Sequence, residues 1–247
     1  MIDNLKKNFG KRKIKVKNKT SLVQEVFTGV SNKYDLMNDL MSLGSHRLWK
    51  KRLVEMMNIQ KNEIIIDVGS GTGDLVKLIL KENNNVNIYS IDLNIEMLNE
   101  GKKKFSKQQI KKIRFIHANA EKLPFKNNFF DKYVISFCLR NVTHIKKALY
   151  EAFRILKPGG VFYCLEFSSP TSSLLNKIYS KYNKKIIPLI GDKIAKNKNA
   201  YRYLEESISQ FPQQDFLLNE INDAGFKETK YTNIFDGIVS IHKGYKI

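Results

Sequence analysis

The 247 residues suffice for one large domain or one domain with appendages, and 42% hydrophobic content supports a sizeable core. No apolar run reaches the ~18 residues of a membrane-spanning helix, and no apolar h-region follows the N-terminus, so neither a span nor a secretory leader is expected. The net charge of +19 raises RNA binding as a function class. However, the lysines scatter over 6–19, 102–112 and 177–198 and accompany abundant asparagine and isoleucine, the joint enrichment that AT-rich coding gives. A solvated surface is therefore the preferred reading, with attraction to anionic lipid head groups as a corollary.

Residues 1–20 are basic and poor in apolar residues and read as a flexible arm, ahead of a single domain over 21–247. Residues 21–60 read as a helical lid. Val23, Val26, Phe27 and Val30 recur at helical spacing there, as do Leu48, Leu53, Val54 and Met57. Strands and helices then alternate. Strands are predicted at 64–68, 86–92, 113–118, 131–137 and 161–167, and helices near 73–82, 95–105 and 144–156, with a turn at Pro158-Gly159-Gly160. This rhythm predicts an α/β fold with a mostly parallel sheet covered on both faces. Residues 170–210 interrupt it with a helical insertion rich in Lys, Ile and Tyr. A helix over 212–224 follows, then two strands, 227–235 and 237–245, meeting at Asp236-Gly237 in a hairpin. A seven-stranded sheet closed by an antiparallel C-terminal hairpin resembles the Rossmann-like class I methyltransferases. Cys138 and Cys164 are isolated in strand-like segments and read as reduced, buried thiols. No His, Cys and carboxylate cluster has metal spacing, so no metal is expected.

The most informative stretch is IIIDVGSGTGD at 64–74. A buried strand ends there and turns sharply into a helix, and the glycines let the backbone bend and a ligand approach without a Cβ in the way. The spacing is GxGxG, and Asp74 stands where a dinucleotide fingerprint needs glycine. Asp67 and Asp74 flank the loop. Two carboxylates repel a pyrophosphate and suit a cation such as S-adenosyl-L-methionine, which carries a sulfonium and an amino group. Asp92, at the end of the second strand of the alternating series, is placed to accept both ribose hydroxyls. Its other reading, a helix N-cap, can be met by Asn94. Asn119 and Ala120 follow the next strand and are placed to read the adenine edge. Ser136 lies across the same crevice, either touching the methionine part or packing.

Three blocks are more specific: YDLMND at 34–39, HRLWK at 46–50 and SFCLRNV at 136–142. With RILKPGG at 154–160, YRYL at 201–204 and GYK at 244–246, they resemble the UbiE family, the C-methyltransferases of ubiquinone and menaquinone biosynthesis. The resemblance runs from about Phe9 to the last residue. It implies methyl transfer from S-adenosyl-L-methionine to a ring carbon of a polyprenyl quinol, with cofactor contacts at Thr72, Asp92, Asn119, Ala120 and Ser136; Gly69 of the glycine loop is a further cofactor-binding candidate. It also implies that Arg140 helps deprotonate the ring. A guanidinium with a pKa above ~12 is a poor base, so Arg140 is read as stabilising a developing oxyanion while water takes the proton. The competing reading pairs Arg140 with a core carboxylate such as Glu166. Cys138 replaces the family's commoner glycine. His46 and Tyr34 are weaker candidates, Asn141 either orients the ring or caps a helix, and His117 and His144 read as structural.

The family-like block begins near Phe9-Gly10, which leaves too few residues ahead of it for a mitochondrial presequence, so a cytoplasmic enzyme is expected, touching the inner membrane face where its prenylated substrate lies, with the mitochondrial matrix as the alternative location and other quinone-biosynthesis enzymes as further partners. The 170–210 insertion is either a packed amphipathic helix, the wall of a prenyl tunnel, or a membrane-facing or homodimer surface. No nucleic acid partner is expected. The alternative function, an RNA methyltransferase, lacks both the Asn/Asp-Pro-Pro-Tyr/Phe block and the Pro-Cys nucleophile, since SFCLRNV occupies that stretch. A cofactor-binding scaffold without activity ranks last.

Overall fold

The computed structural model describes residues 6–9, 12–29, 34–173, 175 and 198–247. Most of the 170–210 insertion, Val30 and the Tyr34 side chain therefore lie outside the described residues. Strands β1 (Lys6–Phe9) and β2 (Arg12–Lys15) pair antiparallel, and helix α1 (Val16–Thr28) follows directly. Over 6–9 and 12–20 the expected flexible arm is thus corrected. The basic residues form a polar hairpin, and the helix starts five residues early because Lys19 is already on its inward face, bonded to backbone carbonyls of the domain. Helices α2 (Tyr34–Ser42) and α3 (Ser45–Met57) follow within the 21–60 stretch.

The alternating series is β3 (Ile64–Val68), α4 (Asp74–Glu82), β4 (Asn87–Asp92), α5 (Ile95–Lys102), α6 (Lys107–Ile110), β5 (Ile113–His117), β6 (Phe130–Ser136), α7 (Ile145–Ile155) and β7 (Leu156–Phe167). Helices α8 (Lys198–Ser209) and α9 (Gln214–Asp223) precede β8 (Lys227–Ile234) and β9 (Val239–Tyr245). The main sheet has seven strands in the order β5-β4-β3-β6-β7-β9-β8. β3 to β7 run parallel, and β9 pairs antiparallel with both β7 and β8. The turn expected at Pro158-Gly159-Gly160 is a bulge inside β7: Phe130 faces Leu156, yet Lys132 already faces Val161. Gly159 has φ +79°, which glycine adopts without strain.

Side chains alternate across the strands and build two cores. Ile66 and Val68 join α7 and α9 through Leu149, Ala152, Leu217 and Ile221. Ile65 faces the other way, against Leu53, Val54 and Met57 of α3 and Leu75, Val76 and Ile79 of α4. The apolar stripe of α3 differs from the expected one. Leu48 is exposed, while His46, Trp49 and Lys50 are buried with Leu53, Val54 and Met57. Positions 46, 49, 50, 53, 54 and 57 keep a 3.6 period, which Leu48 to Leu53 breaks.

The hairpin is fastened by His242, whose Nε2 donates to the Gln214 carbonyl of α9 at 3.0 Å. Burial pushes its pKa down from 6.5 to about 4. The unfolded chain therefore binds more protons between those values, and stability falls as pH drops from 6.5 to 4. The expected loss is about 3 kcal/mol. Urea titrations across that range check this, because His242→Gln should remove that part of the slope while leaving the carboxylate contribution.

Candidate active site

The crevice lies beyond the carboxyl ends of β3, β4, β5 and β6, where parallel sheets place ligands. Val68 leads into the loop at 69–73, and the αL conformation of Gly73 (φ +80°) starts α4. Gly69 has φ +70°, and a Cβ there would sit 2.2 Å from Cys138 Sγ, so a side chain at 69 is excluded both by conformation and by contact.

Two adjoining cavities share Gly69, Gly71 and Phe137. Asp92, Asn119, Ala120 and Glu121 line the first, under Thr20, Val23, Gln24 and Phe27 of α1. Asp92 Oδ2 accepts from Gly71 N and Oδ1 from Asn94 N, both at 2.8 Å, so this carboxylate also braces the loop. A carboxylate has about four lone-pair sites, and the remaining ones are available to hydroxyl donors. Asn94 caps α5 by accepting from Met97 N at 3.0 Å. It also donates to Thr28 Oγ1 at 2.8 Å, holding α1 over the cavity. Thr20 and Thr143 hydroxyls meet at 2.9 Å on the other side.

The second cavity is lined by Thr72, Asp67, Ser136 and Arg140 below and by Asn38, Ser42, His46 and Lys50 above. Asp67 is 1% exposed, and its Oδ2 has no hydrogen-bond partner among the described residues. Burial pushes its pKa up to about 7. Ser136 Oγ is likewise buried without a partner. A buried carboxylate oxygen and a hydroxyl left open beside a glycine cradle fit a cationic ligand without phosphate. Thr72 Oγ1 donates to Asp35 Oδ1 of α2 at 2.6 Å, which leaves the hydroxyl its lone pairs but commits its proton. Lys50 pairs with Asp74 at 3.1 Å, tying α3 to α4. Trp49 packs against Phe137 and Phe167 at centroid separations of 6.0 Å.

The model of the ubiE/COQ5 methyltransferase family matches residues 13–246. The chain belongs to that family. It is 48% identical over 246 residues to the ubiquinone/menaquinone biosynthesis C-methyltransferase UbiE of Rickettsia prowazekii, covering 97% of this chain and 98% of that protein. It is 45% identical to the UbiE of Coxiella burnetii, covering 97% and 96%. Among solved structures, a possible histamine N-methyltransferase from Thermotoga maritima shares the class I methyltransferase fold. Its TM-score is 0.65 at 18% identity, covering 91% of this chain and all of that one.

In this ubiE/COQ5 chain the sequence-derived residues divide between the two cavities. Asp92, Asn119 and Ala120 line the first, Thr72, Ser136 and Arg140 the second, and Gly69 both. Arg140 realises the competing sequence reading as well, because its Nη1 donates to Glu166 Oε1 at 2.8 Å with both side chains buried. Its guanidinium lies 5.4 Å from the Phe167 ring centroid. Asn141 accepts from Tyr203 OH of α8 at 3.0 Å rather than capping a helix. His144 and His117 are held by Glu121 and by the Leu93 carbonyl. The sequence reading singled out Asp67 only as a flanking charge, and it missed Lys19, Lys50 and Asp39. A charged residue falling on a helix's apolar stripe, as Lys50 does, is the signal that marks such positions.

Proposed function

We propose that this chain transfers a methyl group from S-adenosyl-L-methionine to a ring carbon of a polyprenyl quinol in quinone biosynthesis. The observation that carries the reading is the unpartnered Asp67 carboxylate oxygen under the glycine loop, in a chain of the ubiE/COQ5 family. The relatives named above act in ubiquinone and menaquinone biosynthesis, which supports a quinol acceptor over RNA.

When bound, the cofactor supplies an electrophilic methyl on a sulfonium. Asp67 and Ser136 hold its cationic methionine end, Gly69 and Thr72 shape the cradle, Asp92 takes the ribose, and Asn119 and Ala120 read the adenine. Arg140, fixed by Glu166, presents positive charge where the acceptor's oxygen becomes negative, an electrostatic role that suits a group too weak to be a base. The α1–α3 lid excludes water and aligns the ring, and positioning of this kind supplies roughly 7–11 kcal/mol of barrier reduction. No helix among the described residues is long and apolar enough to cross a membrane. Contact with the membrane that carries the prenylated substrate is favoured by the +19 net charge, which attracts anionic head groups.

Expression in a bacterium lacking its own quinone C-methyltransferase tests this. Mass spectrometry of extracted lipid should find methylated quinone restored. Persistent accumulation of the demethyl quinones, with the protein present and folded, would contradict the proposal. Which quinone returns identifies the ring.

A further inference from the structure

The acceptor's hydroxyl must lose or share its proton for its ring to become nucleophilic, and Arg140 is a poor base. The remaining titratable groups around the second cavity are His46, Lys50, Asp67 and Asp74. Lys50 and Asp74 are paired with each other. Asp67 lies under the cofactor loop, where a bound cation makes it a weaker base. His46 is different. It is 4% exposed, and its Nε2 meets Asp39 Oδ1 at 2.8 Å. An ionised carboxylate only accepts, so Nε2 carries the hydrogen and the neutral ring has its lone pair on Nδ1. Nδ1 is buried and has no hydrogen-bond partner among the described residues. Asp39 is itself anchored by Arg47, which donates from Nε at 2.7 Å and from Nη2 at 2.6 Å.

We infer that His46, oriented by Asp39, is the proton acceptor for the ring hydroxyl of the methyl acceptor. This rests on the quinol reading above. The geometry is a carboxylate–imidazole pair with its second nitrogen free of any other hydrogen bond among the described residues, carried by α3 at the wall of the second cavity. The hydroxyl proton passes to Nδ1. The ring's π pair forms the new bond to the methyl carbon, and the carbon–sulfur pair leaves on sulfur. The methylated ring carbon then sheds its own hydrogen as a proton to water, while His46 returns its proton to the ring oxygen. Aromaticity and the neutral imidazole are restored, and one proton is released per turnover. Asp39 is a positioning residue, holding the tautomer.

The surrounding charges set the pH response. Burial, then the Lys50 ammonium, pull the His46 pKa below 6.5 against the opposing pull of Asp39 and Asp74. The imidazole is therefore neutral and able to accept at pH 7. Activity governed by it falls as pH drops, with the midpoint of the acid limb below 6.5.

Nitrogen NMR on the ring-labelled protein, without acceptor, reads the tautomer directly. The inference requires hydrogen on Nε2, and a hydrogen on Nδ1 overturns it whatever the acceptor is. The second measurement binds 1-naphthol, a redox-stable phenol, beside S-adenosylhomocysteine and reads naphtholate by near-ultraviolet absorbance. Wild type should stabilise the naphtholate, and His46→Gln, which keeps a donor for Asp39 but takes no proton, should not. That variant should lose about 10²–10⁴-fold in kcat, together with the acid limb, at unchanged cofactor affinity. Retention of kcat within about threefold, with the limb intact, overturns the inference. Failure of wild type to methylate any quinol strikes the acceptor reading instead and leaves the tautomer result standing.

Discussion

Asp67→Asn is expected to weaken S-adenosyl-L-methionine binding by roughly 10–100-fold, the loss of one charge-assisted interaction in a buried site. The same substitution should make the ligand-free protein more stable. Burial holds the carboxyl neutral up to about pH 7, so ionising it in the folded state is unfavourable. The folded chain binds more protons than the unfolded one between 3.8 and about 7, and its stability declines as pH rises through that window. The accumulated cost is on the order of 4 kcal/mol at pH 8, which asparagine avoids. A cationic ligand reverses the balance, since it binds the ionised form. Wild-type affinity should therefore fall about tenfold per unit as pH drops below about 7, and calorimetry should record proton release on binding. In Asp67→Asn both the pH dependence and the proton release should vanish.

Arg140 is the second position of large effect. Removing one member of a buried ion pair leaves the other uncompensated, so Arg140→Ala should cost about 3–5 kcal/mol of stability. That loss alone would reduce activity and conceal any chemical role. The double variant Arg140→Met with Glu166→Gln removes both charges at similar volume and should recover most of the stability. Methyl transfer should stay low in it while cofactor affinity returns to near wild type. Chemical denaturation, calorimetric titration and turnover on the same samples check all three. Recovery of activity along with stability would reduce Arg140 to a structural partner of Glu166.

The βα core was legible because its signals are local. The run at 64–68, the GxGxG spacing and the Asp236-Gly237 turn each dictate backbone geometry within a few residues, and the strand ends then locate Asp92, Asn119 and Ser136. Helix α6 was missed although Ser106 and Gln109 form a capping box that reads in sequence as S-x-x-Q. The N-terminal helices resisted for a different reason: their side chains are used by partners far along the chain. Asp35 meets Thr72 and Lys104, Lys19 meets the Val142 carbonyl, and Tyr203 meets Asn141. No periodicity encodes such pairs, and polar residues buried by them count against the apolar stripe when it is read in isolation. Arg140 with Glu166 was anticipated only as an alternative, because a charged residue after a strand end is compatible with both a ligand and a core partner.

Incubation of the purified protein with isotopically methyl-labelled S-adenosyl-L-methionine and three acceptors tests the central claim most directly. The acceptors are a demethylmenaquinol, a 2-polyprenyl-6-methoxy-benzoquinol and total RNA, with label followed into each and located by NMR. Label on a ring carbon of either quinol, with loss of that carbon's hydrogen, is the predicted result. Label confined to RNA, or on a quinol oxygen, would contradict it.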